Sequence, residues 1–532
     1  MGSKPGKYKR MKMCFAALAA AASIVVAVGP ARPAETPPPP PPSPAGTVVP
    51  ASASPTALQT AAPSSAWTAP PDSITHHTLQ LGGKTIAYTA VAGTIALRNA
   101  QDEPSASIFY VAYSMDGAPA RRPVTFLYNG GPGSSTIWLH LGSFGPRRVA
   151  AGNAAPSRGA PYDFTTNQYS LLDRTDLVFI DAPGTGFSRL LGKSDPKDFY
   201  GIDQDAAAFG QFIQRYLSQY GRWNSPKFLF GESYGTTRSC VVASYLHDRG
   251  IDVNGIVLLS SALNLPVLFG AGDGIDATYF TYLPTETAVA WYQHKLPQSG
   301  DLAAVIRSSE SFALGDYASA LAQGSNLPSA RRAQIVRRLH ELTGISEAYL
   351  ARTDLRIGPE QFEKQLLGGN AEVIGRYDGR YTGTAWDRTA QVPEYDPSYS
   401  DVASAYISTF NDYVRKDLGY RTDAQYMPLR GGLDWDFRRK SGSFGDVLPD
   451  LGRTLTENPR LRVFSANGYF DMATPFFQTE YLLDHMGIDQ ALHNHITFGF
   501  YQSGHMVYVN PSALAVFHND LERWYDSVLA LP

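Results

Sequence analysis

The chain has 532 residues, of which 43% are hydrophobic and 17% are charged, and its formal net charge is −3. This length allows a large buried core but exceeds what one compact domain holds without insertions. The nearly balanced charge gives no reason to expect nucleic acid or an acidic membrane surface as a partner. Cys14 lies close to the N-terminus, which leaves Cys240 without a disulfide partner in the rest of the chain.

Residues 1–34 have the pattern of an export signal. Basic residues from Lys4 to Lys12 precede an apolar, alanine-rich run, Cys14–Gly29, that is short for a membrane span. Small residues lie around Ala31–Ala34, where cleavage is expected, and an uncleaved membrane anchor is the alternative. We therefore expect a secreted or periplasmic protein that contacts a membrane only if this segment stays uncleaved.

A proline-rich linker is predicted over residues 35–72. Six consecutive prolines, Pro37–Pro42, open a stretch of alanine, serine, threonine and proline that continues to Pro71. This composition favours an extended or disordered chain over a packed core.

Alternating strand and helix patterns predict the first part of an α/β core over residues 73–264. Strands of antiparallel character are predicted at Thr78–Leu81, Lys84–Tyr88 and Ser107–Tyr113. Short apolar runs, which are typical of buried parallel strands, follow at Val124–Tyr128, Asp176–Ile180, Lys227–Phe230 and Gly255–Leu259. Helices are predicted at Gln204–Tyr220 and Thr236–Arg249. The expected fold is a mostly parallel central sheet flanked by helices, with the functional site at the carboxyl ends of the strands.

The alternation stops between residues 265 and 459, which predicts a large, mainly helical cap insertion. Ser329–Thr343 and Glu360–Leu367 have helical patterns within it. The second part of the core is predicted over residues 460–532, with strands at Leu461–Ser465 and Ile496–Tyr501 and a last helix at Ser512–Leu529.

A serine between two glycines follows one of the buried strands. Gly231-Glu-Ser-Tyr-Gly235 comes after the apolar run Phe228–Phe230 and before a helix, which is the order of the nucleophile elbow of an α/β-hydrolase. Such a turn holds the Ser233 hydroxyl at its tip, and the glycines avoid clashes between the strand and the helix. A plain turn rich in glycine and serine is the alternative.

Two loops after the last strands supply the acid and the base of a Ser-His-Asp triad. A serine hydroxyl is a poor nucleophile until an oriented base takes its proton. Asp471 and His505 each follow a predicted strand, in the chain order Ser, Asp, His that this fold uses. The competing residues lie on helical patterns or before a strand, and they are Asp484, Asp489, His485, His493, His495 and His518.

The glycine-rich loop Asn129–Ser135 is the expected partner of the elbow in an oxyanion hole. Two backbone N–H groups are needed, and we expect them from Tyr234 and Gly131. A phosphate-binding loop is the alternative, but no Gly-Lys-Ser/Thr pattern follows. No cluster of histidine, cysteine or carboxylate has metal-ligand spacing, so we expect neither a metal nor another cofactor.

Taken together, the motifs resemble those of the serine carboxypeptidase family. The matching blocks are Asn129–Ser135, Asp181–Ser188, Gly231–Gly235, the Asp471 loop and Gly504–Met506. The resemblance implies an α/β-hydrolase fold with a cap, and the release of C-terminal residues from peptides. It assigns Ser233, Asp471 and His505 to the triad and Gly131 and Tyr234 to the oxyanion hole. It also implies that Asn129 and Glu232 grip the terminal carboxylate of the substrate.

The chain departs from the family at a third carboxylate-binding position. The family carries glutamate fourteen positions after the asparagine, and this chain has Ser143. Because two carboxyls sharing a proton hold a carboxylate best at acid pH, the grip and the acid preference are both expected to differ here. We expect Arg147 or Arg148 to help, since a guanidinium pairs with a carboxylate in fork geometry; a surface arginine pair is the alternative. Tyr508 also stands where proline is usual.

These features predict an exported, serine carboxypeptidase-like hydrolase that acts on peptides. An esterase or acyltransferase on the same triad is the alternative, and Ser143 keeps it open. A catalytically inactive scaffold protein is disfavoured because all three triad residues are present.

Overall fold

The computed structural model describes residues 69–119, 121–270, 274–297, 300–368 and 371–531. The predicted export signal and most of the predicted linker lie outside these residues. The described chain is organised around one large mixed sheet with helices on both faces.

The described residues contain fourteen strands, and ten of these form the central sheet. The strands are β1 (Ser73–Leu81), β2 (Lys84–Arg98), β3 (Pro104–Met115), β4 (Val124–Tyr128), β5 (Arg147–Val149), β6 (Phe164–Thr166), β7 (Asp176–Ile180), β8 (Arg189–Leu190), β9 (Lys227–Ser233), β10 (Gly255–Ser261), β11 (Glu372–Ile374), β12 (Thr382–Thr384), β13 (Arg462–Gly468) and β14 (Ile496–Tyr501). Their order in the sheet is β1-β2-β3-β7-β4-β9-β10-β13-β14, with β8 paired to β3. The run from β7 to β14 is parallel, and β1, β2 and β3 pair antiparallel at one edge.

Fifteen α-helices accompany these strands in the described ranges. They are α1 (Ile137–Gly142), α2 (Ile202–Gln219), α3 (Tyr234–His247), α4 (Leu265–Phe269), α5 (Ala277–Tyr292), α6 (Leu302–Phe312), α7 (Ala318–Gln323), α8 (Ser329–Thr343), α9 (Glu347–Arg352), α10 (Pro359–Gln365), α11 (Pro397–Lys416), α12 (Leu448–Glu457), α13 (Phe476–Asp484), α14 (Gln490–His493) and α15 (Pro511–Leu529). None of these helices combines the length and the apolar character needed to cross a membrane.

The predicted α/β fold with a mostly parallel central sheet is confirmed. Successive side chains of a strand point to opposite faces, so each buried strand contributes to the two hydrophobic clusters on either side of the sheet. In β4, Phe126 belongs to the hydrophobic cluster on the face of α2 and α3, whereas Leu127 belongs to the cluster on the face of α1, α11 and α15. Both side chains are fully buried. This double burial holds the carboxyl ends of the strands, and therefore the site, in a rigid frame.

Two helices of the interval 265–459, α11 and α12, pack into the core of the described chain. Helix α11 was not predicted, because tyrosine, serine and aspartate dominate its sequence. Its buried residues recur at helical spacing and pack into the same cluster as β3 and α1. Helix α12 packs on α3, the helix that follows the nucleophile. The insertion therefore contributes to the core on both faces of the sheet.

Candidate active site

Ser233 lies at a sharp turn between β9 and α3. Its backbone has φ 60° and ψ −130°, a sparsely populated conformation that costs about 1–3 kcal/mol for a residue with a side chain. The turn is also tight: a Cβ added to Gly231 would lie 2.1 Å from the carbonyl oxygen of Gly235. The glycines are therefore required by the close approach of the strand to the helix, and the serine is held at the tip of the turn.

Asp471 and His505 meet beside this turn. The loop after β13 carries Asp471 and the loop after β14 carries His505, and His505 Nδ1 lies 2.9 Å from Asp471 Oδ2. Both side chains are buried, at 0% and 4% exposed. The aspartate thus fixes the orientation of the imidazole, which is the role of the acid in a catalytic triad.

The Asp471 carboxylate is itself oriented by its own loop. Its Oδ1 accepts hydrogen bonds from the backbone N–H groups of Ala473 and Thr474, both at 2.9 Å. Its Oδ2 accepts a bond from the Thr474 hydroxyl at 2.7 Å, and that hydroxyl oxygen also lies 3.1 Å from His505 Nδ1. Thr474 therefore bridges Asp471 and His505, the predicted acid and base of the triad.

Tyr377 and Ser260 hold His505 in place. It stacks on Tyr377, with 5.0 Å between ring centroids and 15° between the planes. Its backbone N–H donates to the Tyr377 carbonyl at 2.6 Å, and its carbonyl accepts from the Ser260 hydroxyl at 2.7 Å. Burial of the imidazole lowers its pKa, but the charge and hydrogen bond of Asp471 outweigh burial, so the pKa of His505 lies above its ordinary value.

His505 uses only one of its two ring nitrogens in hydrogen bonds within the described residues. Both hydrogen bonds of the imidazole in the described structure use Nδ1, so Nε2 is the nitrogen that remains for the serine hydroxyl. No hydrogen bond joins the Ser233 hydroxyl to Nε2 within the described residues. Catalytic hydrogen bonds of this kind are often long without substrate and tighten in the complex.

The glycine-rich loop lies directly against the start of α3. A Cβ on Gly130 would be 2.3 Å from the Tyr234 nitrogen, so the loop backbone nearly touches the amide predicted for the oxyanion hole. As the first residue of α3, Tyr234 has no intrahelical acceptor for its N–H. Gly131 has φ 110°, a conformation that favours glycine. The structure thus brings the loop of Gly131 and the amide of Tyr234 together, as an oxyanion hole requires.

A buried ion pair fastens this loop to the elbow helix. Arg238 of α3 and Asp205 of α2 are fully buried and lie 2.7 Å apart. Arg238 also donates to the Asn129 carbonyl at 2.6 Å. Removing one partner of such a pair costs roughly 3–5 kcal/mol, because an uncompensated charge is left in the core.

Behind the nucleophile lies a group that we name the carboxyl pocket: Asn129, Ser143, Glu232 and Tyr508. The Tyr508 hydroxyl donates to Glu232 Oε2 at 2.9 Å. Burial raises the pKa of Glu232 to about 7, although the charge of His505 and the hydrogen bonds from Tyr508 and Asn129 each lower it. The sequence identified Tyr508 as a departure from the family pattern but did not predict that it would be the partner of Glu232.

Ser143 is not available to a substrate in this pocket. It is fully buried and its hydroxyl donates to the Leu139 carbonyl at 2.6 Å, one turn back in α1. The adjacent space is also occupied: a Cβ on Gly142 would lie 2.4 Å from the Tyr508 ring and 2.6 Å from the Tyr406 hydroxyl. The pocket is therefore filled by tyrosines where the family pattern places a second carboxyl.

The structure gives the two predicted arginines other partners. Arg147 forms a salt bridge with Asp417 at 3.4 Å, and its guanidinium lies 4.2 Å over the Phe164 ring. Arg148 is directed to the carbonyl of Tyr508, 3.4 Å away. Both arginines belong to β5, which pairs with β6, and the described structure shows neither with a hydrogen bond to Glu232 or His505. Arg148 thus contacts Tyr508 of the carboxyl pocket and Arg147 pairs with Asp417, and a role of either in binding a substrate carboxylate stays a prediction.

No group of three or more histidine, cysteine, aspartate or glutamate side chains could hold a metal ion within the described ranges. Cys240 is buried in α3 as a core residue.

An oriented imidazole, a serine on a strained elbow and a glycine loop beside the elbow amide define a serine hydrolase of the α/β-hydrolase fold. Within that class, the family model of serine carboxypeptidases matches residues 86–507, and the chain belongs to this family.

Individual relatives match over shorter stretches. Serine carboxypeptidase-like 33 of Arabidopsis thaliana is 30% identical over 155 residues, which is 28% of this chain and 30% of the relative. A carboxypeptidase Y homolog of Arthroderma benhamiae is 27% identical over 164 residues, 30% of each chain. The chain thus spans about a third of the length of the curated relatives it matches. Kex1(Δ)p, a prohormone-processing carboxypeptidase from Saccharomyces cerevisiae, has a similar structure, with a TM-score of 0.48 and 16% identity over 81% of this chain and 91% of that protein.

Three residues that shape the site were not predicted. Thr474 follows Asp471 at a spacing that suits a local turn closed by an aspartate side chain, so a turn pattern could have indicated it. Tyr377 lies in a stretch rich in glycine and aspartate, and nothing in the sequence links it to the distant His505. The role of Tyr508 depends on the shape of the carboxyl pocket and has no local sequence signal.

Proposed function

We propose that this chain is an exported serine carboxypeptidase that removes residues from the C-terminus of peptides through an acyl-enzyme on Ser233. The observation that carries the proposal is the 2.9 Å pair of Asp471 and His505 beside a serine on a strained elbow. Membership of the serine carboxypeptidase family supports the reaction class. Export is proposed from the basic and apolar N-terminal pattern, and the N-terminal sequence of the protein recovered from its host tests it, with cleavage expected near residues 31–34.

The proposed reaction uses each positioned group in turn. The Ser233 oxygen attacks the carbonyl carbon of the last peptide bond while His505 Nε2 takes the hydroxyl proton. The N–H groups of Tyr234 and Gly131 stabilise the oxyanion. His505 then donates its proton to the leaving nitrogen, the C–N bond breaks, and the C-terminal residue departs. A water molecule that loses its proton to His505 attacks the acyl-enzyme and releases the shortened peptide and the Ser233 hydroxyl.

Mass spectrometry of a peptide pool tests this proposal. Each peptide is supplied with a free C-terminus and as its C-terminal amide, and the Ser233→Ala variant is the matched control. We expect stepwise loss of single residues from the free C-termini, and none in the variant. Internal cleavage, trimming from the N-terminus, or trimming that survives Ser233→Ala would overturn the proposal.

A second function, ester hydrolysis or acyl transfer on the same triad, is favoured by the buried, internally bonded Ser143. Covalent labelling by a fluorophosphonate separates the two. Labelling that is lost in Ser233→Ala, together with ester turnover and no peptide trimming, would replace the carboxypeptidase by an esterase or acyltransferase.

A further inference from the structure

Two arginines of the segment 375–381 lie near the active site in contrasting environments. Arg380 has a side chain only 4% exposed and is bonded to Asp378, with 2.6 Å between Nη2 and Oδ2. Arg376 is partly exposed, and it makes no salt bridge and no side-chain hydrogen bond within the described residues. Arg380 therefore has a structural partner, whereas the guanidinium of Arg376 has neither a salt bridge nor a hydrogen bond within the described residues.

The guanidinium of Arg376 is close to the imidazole of His505. Its Cζ lies 5.8 Å from the centroid of the Tyr377 ring, and that ring stacks on His505 at 5.0 Å. The distance from the guanidinium carbon to the centre of the imidazole cannot exceed the sum of those two distances. The positive charge also acts at the site, since it lowers the pKa of His505 against the stronger effect of Asp471.

The position of Arg376 is fixed through its backbone. Asp396 accepts hydrogen bonds from the N–H groups of Arg376 and Tyr377, both at 3.1 Å. The Tyr377 carbonyl accepts from His505, and a Cβ on Gly504 would lie 2.3 Å from that carbonyl oxygen. The segment is therefore locked against the catalytic loop without help from the guanidinium, so shortening the side chain leaves these contacts in place.

Burial lowers the pKa of Arg376 and the charges of nearby groups, Glu363 and Asp396 among them, raise it, but neither carboxyl forms a salt bridge with the guanidinium within the described residues. Burial raises the pKa of Glu363 well above its ordinary value, which favours its neutral form, although the charge of Arg376 acts in the opposite direction. The oxygens of Asp396 already accept from backbone N–H groups and from the Ser398 hydroxyl at 2.5 Å. A partly desolvated guanidinium without a carboxylate partner is costly unless a ligand supplies the anion.

The proposed substrate carries such an anion at the required place. The terminal carboxylate of a peptide is one residue from the bond that a carboxypeptidase cleaves. The carboxyl pocket lacks a second carboxyl at residue 143, and the tyrosines beside Gly142 fill the adjacent space. An additional anchor outside the pocket would replace the carboxyl that is missing at residue 143.

We propose that Arg376 binds the C-terminal carboxylate of the substrate and so sets the preference for free peptides over peptide amides. This inference rests on the proposed carboxypeptidase function. The guanidinium fork is well matched to a carboxylate, which it holds by two parallel hydrogen bonds.

Kinetics of Arg376→Gln on a blocked dipeptide and on its C-terminal amide test the assignment. We expect kcat/KM on the free acid to fall roughly 10- to 100-fold, mainly through KM, and kcat/KM on the amide to change less than about threefold. Arg376→Lys keeps the charge without the fork and should recover part of the loss. Arg388→Gln is the matched control, because it removes the same charge from an exposed position of the same insertion. An unchanged ratio of acid to amide in Arg376→Gln would refute the inference.

A binding measurement keeps the inference separate from the proposed function. N-acetyl-phenylalanine and its amide compete with fluorophosphonate labelling of Ser233, and this readout does not require peptide cleavage. We expect the acid to protect the wild-type enzyme at least tenfold better than the amide, and this advantage to disappear in Arg376→Gln. Equal protection by acid and amide in the wild type overturns the assignment whether or not the variants fold. Absence of peptide trimming with a strong acid advantage would overturn the carboxypeptidase function and leave the Arg376 site standing.

Discussion

The catalytic edge of the sheet and the carboxyl pocket behind it lie side by side but follow the family pattern to very different degrees. The catalytic edge is formed by Gly131, Ser233, Tyr234, Asp471 and His505, the residues that the family resemblance assigns to the triad and the oxyanion hole. In the carboxyl pocket, Ser143 stands where the family has a second carboxyl, and its hydroxyl is bonded to the Leu139 carbonyl. The remaining glutamate, Glu232, accepts a hydrogen bond from Tyr508. The predicted catalytic residues thus follow the family resemblance, whereas the predicted carboxylate-binding residues depart from it.

The difference follows from what each region must do. Bond cleavage needs a hydroxyl, an imidazole and two backbone N–H groups in one geometry, and small displacements lose large factors in rate. A carboxylate, by contrast, can be held by paired carboxyls, by amides or by a guanidinium, each from a different part of the chain. The catalytic edge is therefore constrained residue by residue, whereas the pocket is free to change partners.

Breaking the catalytic edge should have the largest effect. Asp471→Asn preserves the shape of the side chain but no longer stabilises the imidazolium or the correct tautomer, so we expect kcat to fall roughly 10³- to 10⁴-fold. It should also lower the pKa of His505, because Asp471 is what raises it. The pH dependence of kcat and the rate of fluorophosphonate labelling report both changes. A loss below about tenfold would show that Asp471 is not the acid of the triad.

The second largest effect is expected from a side chain placed between the glycine loop and the elbow. Gly130→Ala would place a Cβ 2.3 Å from the Tyr234 nitrogen and 2.7 Å from the Gly235 nitrogen, and these backbone atoms cannot step aside as a flexible side chain can. We expect kcat to fall roughly 100-fold or more, because the oxyanion donors are displaced. Gly487→Ala is the control, since its added Cβ would meet nothing within 4 Å. Equal activity of the two variants would contradict the predicted oxyanion hole.

Sequence patterns predicted the parallel strands well because their signals are local. The run Val124–Tyr128 and the observed β4 coincide, as do Asp176–Ile180 and β7, since each strand is a fully buried apolar run bounded by breakers. The triad positions depended on the same signals, because each of the three residues follows such a strand. The structure adds the 2.9 Å contact between Asp471 and His505, which no spacing in the sequence reports.

The insertion was poorly predicted because its contacts are not local. Helix α11 was missed because its buried face is made largely of aromatic and small residues interleaved with polar ones. Arg147 and Arg148 were selected for being near Ser143 in sequence, and their partners Asp417 and Tyr508 come from distant parts of the chain that no local pattern indicates. Arg376 lies near the site because its segment packs against the loop of His505, which is more than a hundred residues later in the sequence.

The carboxyl pocket can be probed through its effect on stability. The pKa of Glu232 is about 7 in the folded chain and about 4.5 when unfolded. Between these values the folded protein holds a proton that the unfolded chain has released, so stability falls as pH rises, by about 1.4 kcal/mol per pH unit. The total from pH 5 to pH 8 is roughly 3 kcal/mol. Glu232→Gln removes this contribution, and chemical unfolding at pH 5 and pH 8 measures the difference.

The direction in which a second variant, Tyr508→Phe, shifts the pKa of Glu232 provides a further test. The hydrogen bond from Tyr508 lowers the pKa of Glu232, so Tyr508→Phe should raise that pKa and extend the loss of stability above pH 7. Other buried carboxyls with raised pKa values, such as Asp181 and Glu286, are common to all variants and cancel in the comparison. If Glu232→Gln and the wild type lose the same stability between pH 5 and pH 8, Glu232 does not release its proton in that range, and a pKa near 7 for this carboxyl would be wrong.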